Sequence, residues 1–143
     1  MSIPTPRPGL VIRYSFLWSS EHDQGAVEGA KDRPCAIVIA VPHGEDGHVR
    51  TIVAPITHSP PADPATSLEI PAAVCRGLGL DGARHWIRFD ELNRFTWPGY
   101  DLRPRPDGSY DYGMLPRALF EKLREGIIKA SKAKRGRVVP RDV

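Results

Sequence analysis

Apolar and polar positions alternate as soon as the chain turns apolar. Leu10, Ile12, Tyr14 and Phe16 fall on one side, and Val11, Arg13, Ser15 and Leu17 on the other. This period of two predicts a first strand over residues 9–18. The polar, glycine-containing stretch 19–32 breaks the pattern and reads as a long mobile loop. Its fourteen residues exceed an ordinary hairpin loop, and such loops more often carry function than filler. The apolar run 34–42 predicts a central strand buried on both faces. A Gly/Asp turn, HGEDGH, leads into a third apolar run over 49–59, so the two runs predict an antiparallel hairpin.

Farther along, PPADPATS reads as a loop, and LEIPAAVCRGLGL as a short strand followed by a helical turn opened by Pro71. Alternation returns over 83–92, with His85, Ile87 and Phe89 on one face and Trp86, Arg88 and Asp90 on the other. The stretch from Asn93 to Gly113 is aromatic and rich in proline. It predicts an excursion, mostly loop, with a short hairpin at Pro106-Asp107-Gly108. Leu115, Leu119, Leu123 and Ile127 then recur every four residues, thickened by Phe120 and Ile128. This stripe predicts a helix packed on the sheet, with Pro116 in its first turn. The pattern as a whole is mainly β, with four to six short and mostly antiparallel strands, and it ends in a C-terminal helix. That is a small barrel or half-barrel, here assigned to one domain over residues 1–131.

Composition adds limits. The chain has 143 residues, 41% of them hydrophobic and 26% charged, which suits one globular unit with a real core. No apolar run approaches the roughly 20 residues that span a bilayer, and MSIPTPRPG lacks an apolar signal region. These features predict a cytoplasmic protein with no membrane partner. Cys35 and Cys75 have no spacing that pairs them, so reduced thiols are expected. The net charge of +3 hides an asymmetry. Lys132, Lys134, Arg135, Arg137 and Arg141 against Asp142 give the last stretch +4, which leaves +3 − 4 = −1 for the rest. Residues 132–143 therefore read as a basic, flexible tail, and any anion site has to be local.

Several residues could build such a site. Glu28 and Arg33 flank a polar turn before the second strand. Arg33 is suited to a phosphate through its planar fork, and Glu28 could serve as a general base. The competing reading is an exposed strand-entry ion pair. Thr57, His58 and Ser59 end the third strand; they could hold a phosphate oxygen, or simply order a turn. Arg88 and Asp90 share a strand face with Trp86. Trp86 could stack on a base or lie covered by the aromatic excursion. His22 is a further acid–base candidate in the long loop. No cofactor motif appears, and the five histidines lack the i, i+3 or i, i+4 helical pairing common in metal sites, so no metal is expected.

The order of these features resembles the MazF/PemK toxins of bacterial toxin–antitoxin pairs. The elements that carry the likeness are Glu28-Gly-Ala-Lys-Asp-Arg33-Pro34 before CAIVIAV, then VAPITHSP, then IRFD, then a closing helix. They run over roughly residues 8–131. The resemblance implies an SH3-like barrel, often a homodimer, that cleaves single-stranded RNA without a metal and is neutralised by an antitoxin. It assigns Arg33 as phosphate clamp, Glu28 as base and Thr57 as phosphate-orienting hydroxyl, with Arg88 and Asp90 as an alternative acid–base pair. His58, Ser59, Trp86 and His22 are the further RNA contacts expected in this chain, and His58 could serve beside either candidate base. The usual Gly-Asp-Ile/Val-Trp opening of that family is replaced by PGLVIRYSF, and residues 91–114 are longer than its usual segment. The alternative is a catalytically inactive barrel that binds nucleic acid or a peptide through the excursion and the tail.

Overall fold

The computed structural model describes residues 2–142. The first strand, β1 (Leu10–Ser15), pairs antiparallel with β2 (Asp32–His43), which turns back into β3 (His48–Thr57). The expected hairpin is therefore present. The segment between β1 and β2 is not all loop, because Ser19–Asp23 forms a short helix, α1. β2 is buried only over Cys35, Ala36 and Ile37. Beyond the bulge between Ile37 and Ile39 it runs outward, and Ile39 and Val41 are exposed. The expectation of a strand buried on both faces thus fails for its second half, which outreaches the layers that cover the sheet.

Next come β4 (Ser67–Glu69), α2 (Ala72–Gly77) with Pro71 at its N-cap, and β5 (Trp86–Arg88). The alternation expected to run on through Asp90 stops at a bend over Phe89 and Asp90, after which β6 (Glu91–Thr96) begins. β6 lies inside the stretch expected to be loop. It forms because it supplies the neighbour for the first half of β3, through Arg50 to Val53, while β5 pairs only with Ile56 and Thr57. β7 (Asp111–Met114) covers the free edge of β1. The sheet order is β4-β5-β3-β2-β1-β7, with β6 branching from β3, and it is not closed. The architecture is a mainly antiparallel sheet with a C-terminal helix.

Alternation in β1 distributes its side chains between two cores. Val11 joins Ala36, Ala54, Ile56 and Ile87 beneath α3 (Arg117–Lys132), which contributes Leu119 and Leu123. Leu10, Ile12, Tyr14 and Phe16 pack with Cys35, Val53, Phe95 and Leu102 on the other side. The aromatic excursion is that second cover, and Tyr14 stacks on Phe95 at 4.7 Å. The helical stripe holds at Leu115, Leu119 and Leu123, whereas Ile128 is exposed and Ala130 is buried. Pro116 caps α3 rather than entering its first turn. Gly126 lets the Phe89 ring approach so closely that a Cβ would lie 2.7 Å from it, which fixes the Phe89–Asp90 bend against the helix.

The expected flexible tail is ordered. Arg137–Pro140 forms β8, parallel to β6. Three of its basic side chains meet carboxylates of the body, Arg135 with Asp63, Arg137 with Asp23, and Arg141 with Asp101. Arg141 is the deepest, its side chain 2% exposed. Its Nη1 donates to the Ser15 carbonyl (2.7 Å) and to Asn93 Oδ1 (2.9 Å), and its Nη2 donates to the Val27 carbonyl (3.2 Å). Charge complementarity across the chain docks what local sequence bias left free. Among the described residues, no helix is long and apolar enough to cross a membrane. Cys35 and Cys75 are free and buried, in different cores.

Candidate functional site

Two strand pairings bring the site together. β2 against β3 pairs Cys35 with Pro55, each two residues from Arg33 and Thr57 respectively, and β3 against β5 sets Thr57 opposite Trp86. Beside β5, Asp81 accepts a hydrogen bond from the Ala83 amide (2.9 Å), a tight turn that leads the chain into His85. Arg33, Thr57, His58, Asp81 and His85 thereby line one cavity of about 260 Å³, with Lys31 at its exposed side.

Arg33 is half-buried, and its Nε is buried without a hydrogen-bond partner. Its guanidinium lies 5.0 Å from the centre of the Trp18 ring. Burial holds its pKa below the usual arginine value, opposed in part by the attraction of the Glu21 carboxylate; the group still carries its charge at neutral pH. Trp18 is itself held in place by its surroundings. The buried Asn93 side chain accepts from the Leu17 amide (2.9 Å) and donates to the Leu17 carbonyl (2.7 Å). Glu21 Oε1 accepts from the Trp18 amide, and Glu91 grips both the amide and the hydroxyl of Ser19. Arg88 also lies against the Trp18 ring, at 5.4 Å. One fixed indole thus anchors two cations.

Thr57 is buried, and its Oγ1 accepts from the Ser59 amide (3.1 Å). This leaves its hydroxyl proton to donate elsewhere. His58 is about half exposed, with Nε2 3.4 Å from Asp81 Oδ2. His85 is almost fully buried, with Nε2 3.1 Å from Asp81 Oδ1. The two imidazoles lie 4.5 Å apart, centre to centre. The Ala83 amide bond is the main cause that keeps the Asp81 carboxyl below its ordinary value, helped by the two histidines.

A comparison with protein-family models and with curated proteins finds no match. The site therefore stands on its geometry.

That geometry separates the expected residues. Arg33, Thr57 and His58 share the cavity, while Ser59 is exposed, does not line it, and orders the turn through its amide. Glu28 is exposed and lies outside the cavity, and its charge acts on Asp101. Nor does it form the competing strand-entry ion pair, because Arg33 turns inward onto Trp18. Arg88 and Asp90 are joined by two hydrogen bonds of 2.8 and 2.9 Å, and that bond raises the pKa of Arg88. Asp90 lines a different cavity, beside α3. Trp86 is 6% exposed and covered by Arg84, whose guanidinium lies 4.9 Å from its ring, so it offers no face to a base. His22 is exposed and lines a third cavity, next to Val27 and Arg141.

Trp18, Asp81 and His85 were missed from sequence. Trp18 sat at the end of an apolar run, and His85 fell on the core face of its strand. The expectation of no metal-ligand cluster rested on histidine spacing along helices; among the described residues, donor atoms of His58, Asp81 and His85 lie within 4.8 Å of one another. Histidine spacing hid the cluster because it draws on two segments and no helix. The one available signal was Asp81 four residues before His85. Chemically, the cavity offers a fixed cation, a hydroxyl donor, and an imidazole that can exchange a proton.

Proposed function

We propose that this cavity binds the phosphodiester of single-stranded RNA and cleaves it by attack of the adjacent 2′-hydroxyl, as in the MazF/PemK-like toxins the sequence resembles. The observation that carries the reading is Arg33, a half-buried cation whose Nε lacks a partner, in one cavity with Thr57 and His58. A buried donor without an acceptor costs about 1–3 kcal/mol, and the charge of the same half-buried guanidinium at the cavity wall suits a phosphate oxygen. The curled sheet backed by α3 is read as a divergent SH3-like barrel. A homodimer and an acidic antitoxin segment over the cavity belong to the same proposal.

The roles follow from chemistry. Arg33 and the Thr57 hydroxyl hold the non-bridging oxygens and stabilise the charge that develops on the phosphorane. The Asp81 carboxylate beside His58 Nε2 favours the tautomer protonated there, leaving Nδ1 to accept the 2′-hydroxyl proton. The 2′-oxygen bonds to phosphorus, the bond from phosphorus to the 5′-oxygen breaks, and water protonates the leaving oxygen. The products are a 2′,3′-cyclic phosphate and a 5′-hydroxyl. Histidine replaces Glu28 and Asp90 as the base because neither of those carboxylates lines this cavity.

The test is incubation of the full chain with varied single-stranded RNAs in EDTA. Cyclic-phosphate ends are expected, with losses of at least about 100-fold in Arg33→Ala and His58→Ala. If wild type and Arg33→Ala are equally inert, the proposal falls. The inactive-barrel alternative rested on the aromatic excursion and the tail. The excursion covers the second core, and the tail's arginines are paired with body carboxylates.

A further inference from the structure

We propose that His58, Asp81 and His85 form a binding site for a divalent transition-metal ion, of which Zn²⁺ is the type case. With metal–ligand bonds of about 2.0–2.1 Å, the donors of a tetrahedral site stand about 3.3 Å apart. Each imidazole already stands at that spacing from one oxygen of the carboxylate, His58 Nε2 at 3.4 Å from Asp81 Oδ2 and His85 Nε2 at 3.1 Å from Asp81 Oδ1. The three donor atoms all lie within 4.8 Å of one another. The His58 imidazole, about half exposed, has room to close the remaining edge by rotating.

The rest of the cluster is prepared for an ion. His85 is buried with Nε2 directed at Asp81, and the Ala83 amide holds the carboxylate in place. Two imidazoles and one carboxylate favour Zn²⁺ and its neighbours over Mg²⁺ or Ca²⁺, which prefer all-oxygen shells. Three protein ligands leave a fourth position, and it opens into the cavity that holds Thr57 and Arg33. A water or an anion would complete the shell there. The other clustered histidines differ. His48 meets the exposed Asp46, and His43 lies beside the cation Arg50.

This inference does not depend on RNA cleavage, and its test does not read it. The full chain is titrated with Zn²⁺ against a chromophoric chelator and with Co²⁺ in the visible spectrum. One equivalent is expected, with the intense absorption of four-coordinate Co²⁺ and a Zn²⁺-dependent rise in Tm. His58→Ala, at an exposed position, should lose at least about 10-fold in affinity, as ligand-shell changes commonly do; Asp81→Asn should behave likewise, and His48→Ala should leave affinity unchanged. Absence of binding to wild type, or equal binding by wild type and His58→Ala, overturns the site. Stoichiometric Zn²⁺ binding by a chain that cleaves no RNA in EDTA would uphold this site and sink the nuclease reading. If both hold, Zn²⁺ should suppress cleavage, because coordination through Nε2 moves the His58 proton to Nδ1 and removes the base.

Discussion

Replacing Arg33 by Met keeps an unbranched stem over Trp18 and removes the guanidinium. In the unliganded protein this deletes a buried Nε that no acceptor satisfies, a liability of about 1–3 kcal/mol. It also deletes the cation held 5.0 Å from the Trp18 ring, a contact that stabilises by about 0.5–2 kcal/mol, part of which a thioether on the ring restores. The balance is a gain of about 1 kcal/mol in stability. At an unfolding entropy of about 2.1 cal/mol/K per residue, a chain of 143 residues converts that into a rise in Tm of about 3 °C. The assay pairs thermal unfolding by circular dichroism with cleavage of single-stranded RNA. The same substitution should stabilise the fold and abolish cleavage, because a group kept ready for a ligand costs stability until the ligand arrives. A fall in Tm of about 3 °C or more would refute the reasoning, since it would make Arg33 a structural clamp whose unpaired nitrogen costs nothing.

Two further predictions concern the docked C-terminus. Arg141→Ala removes a buried cation from Asp101, Ser15, Asn93 and Val27. Stability measured by urea unfolding should fall by about 3 kcal/mol, as expected when one partner of a buried pair is lost, and a loss under about 1 kcal/mol would mean that water replaces the contacts. Acid should loosen the same region. Arg137 holds the Asp23 carboxyl below its ordinary value, and the Ala65 amide followed by Arg135 does so for Asp63. Their folded pKa values lie below the unfolded one, so the stability they add is present above about pH 3.9 and lost as pH falls through the folded values. The amide resonances of Val138 and Val139 should hold steady from neutral pH down to about that value and shift only below it.

The parts of this fold that were readable in the sequence are those with a strong local period. The alternation in β1, the β2–β3 hairpin with its Gly/Asp turn, Pro71 before α2, and the stripe of α3 are local arrangements that neighbouring residues determine among themselves. β6 and β8 were not readable, because each forms only where it finds a partner. β6 needs the half of β3 that β5 leaves uncovered, and β8 needs β6 beside it together with acids from three distant segments. The basic run therefore looked like a solvated tail, although its charges were matched elsewhere in the chain.

The candidate site divides in the same way. Arg33, Thr57 and His58 were nameable because their residue types and strand-end positions suit a phosphate. The family resemblance also put Glu28 and Asp90 forward, each a carboxylate close to an arginine along the chain. Tertiary structure decided otherwise: Arg33 turns in onto Trp18, Glu28 stays outside, and Asp90 is engaged by Arg88. It also set Asp81 and His85 beside His58 across strand pairing. The sequence by itself determined the periods of the strands and the helix, and which side chains could grip an anion. Which of them share one cavity was decided by folding, because donor–acceptor contacts act over about 3 Å and depend on how distant segments pack.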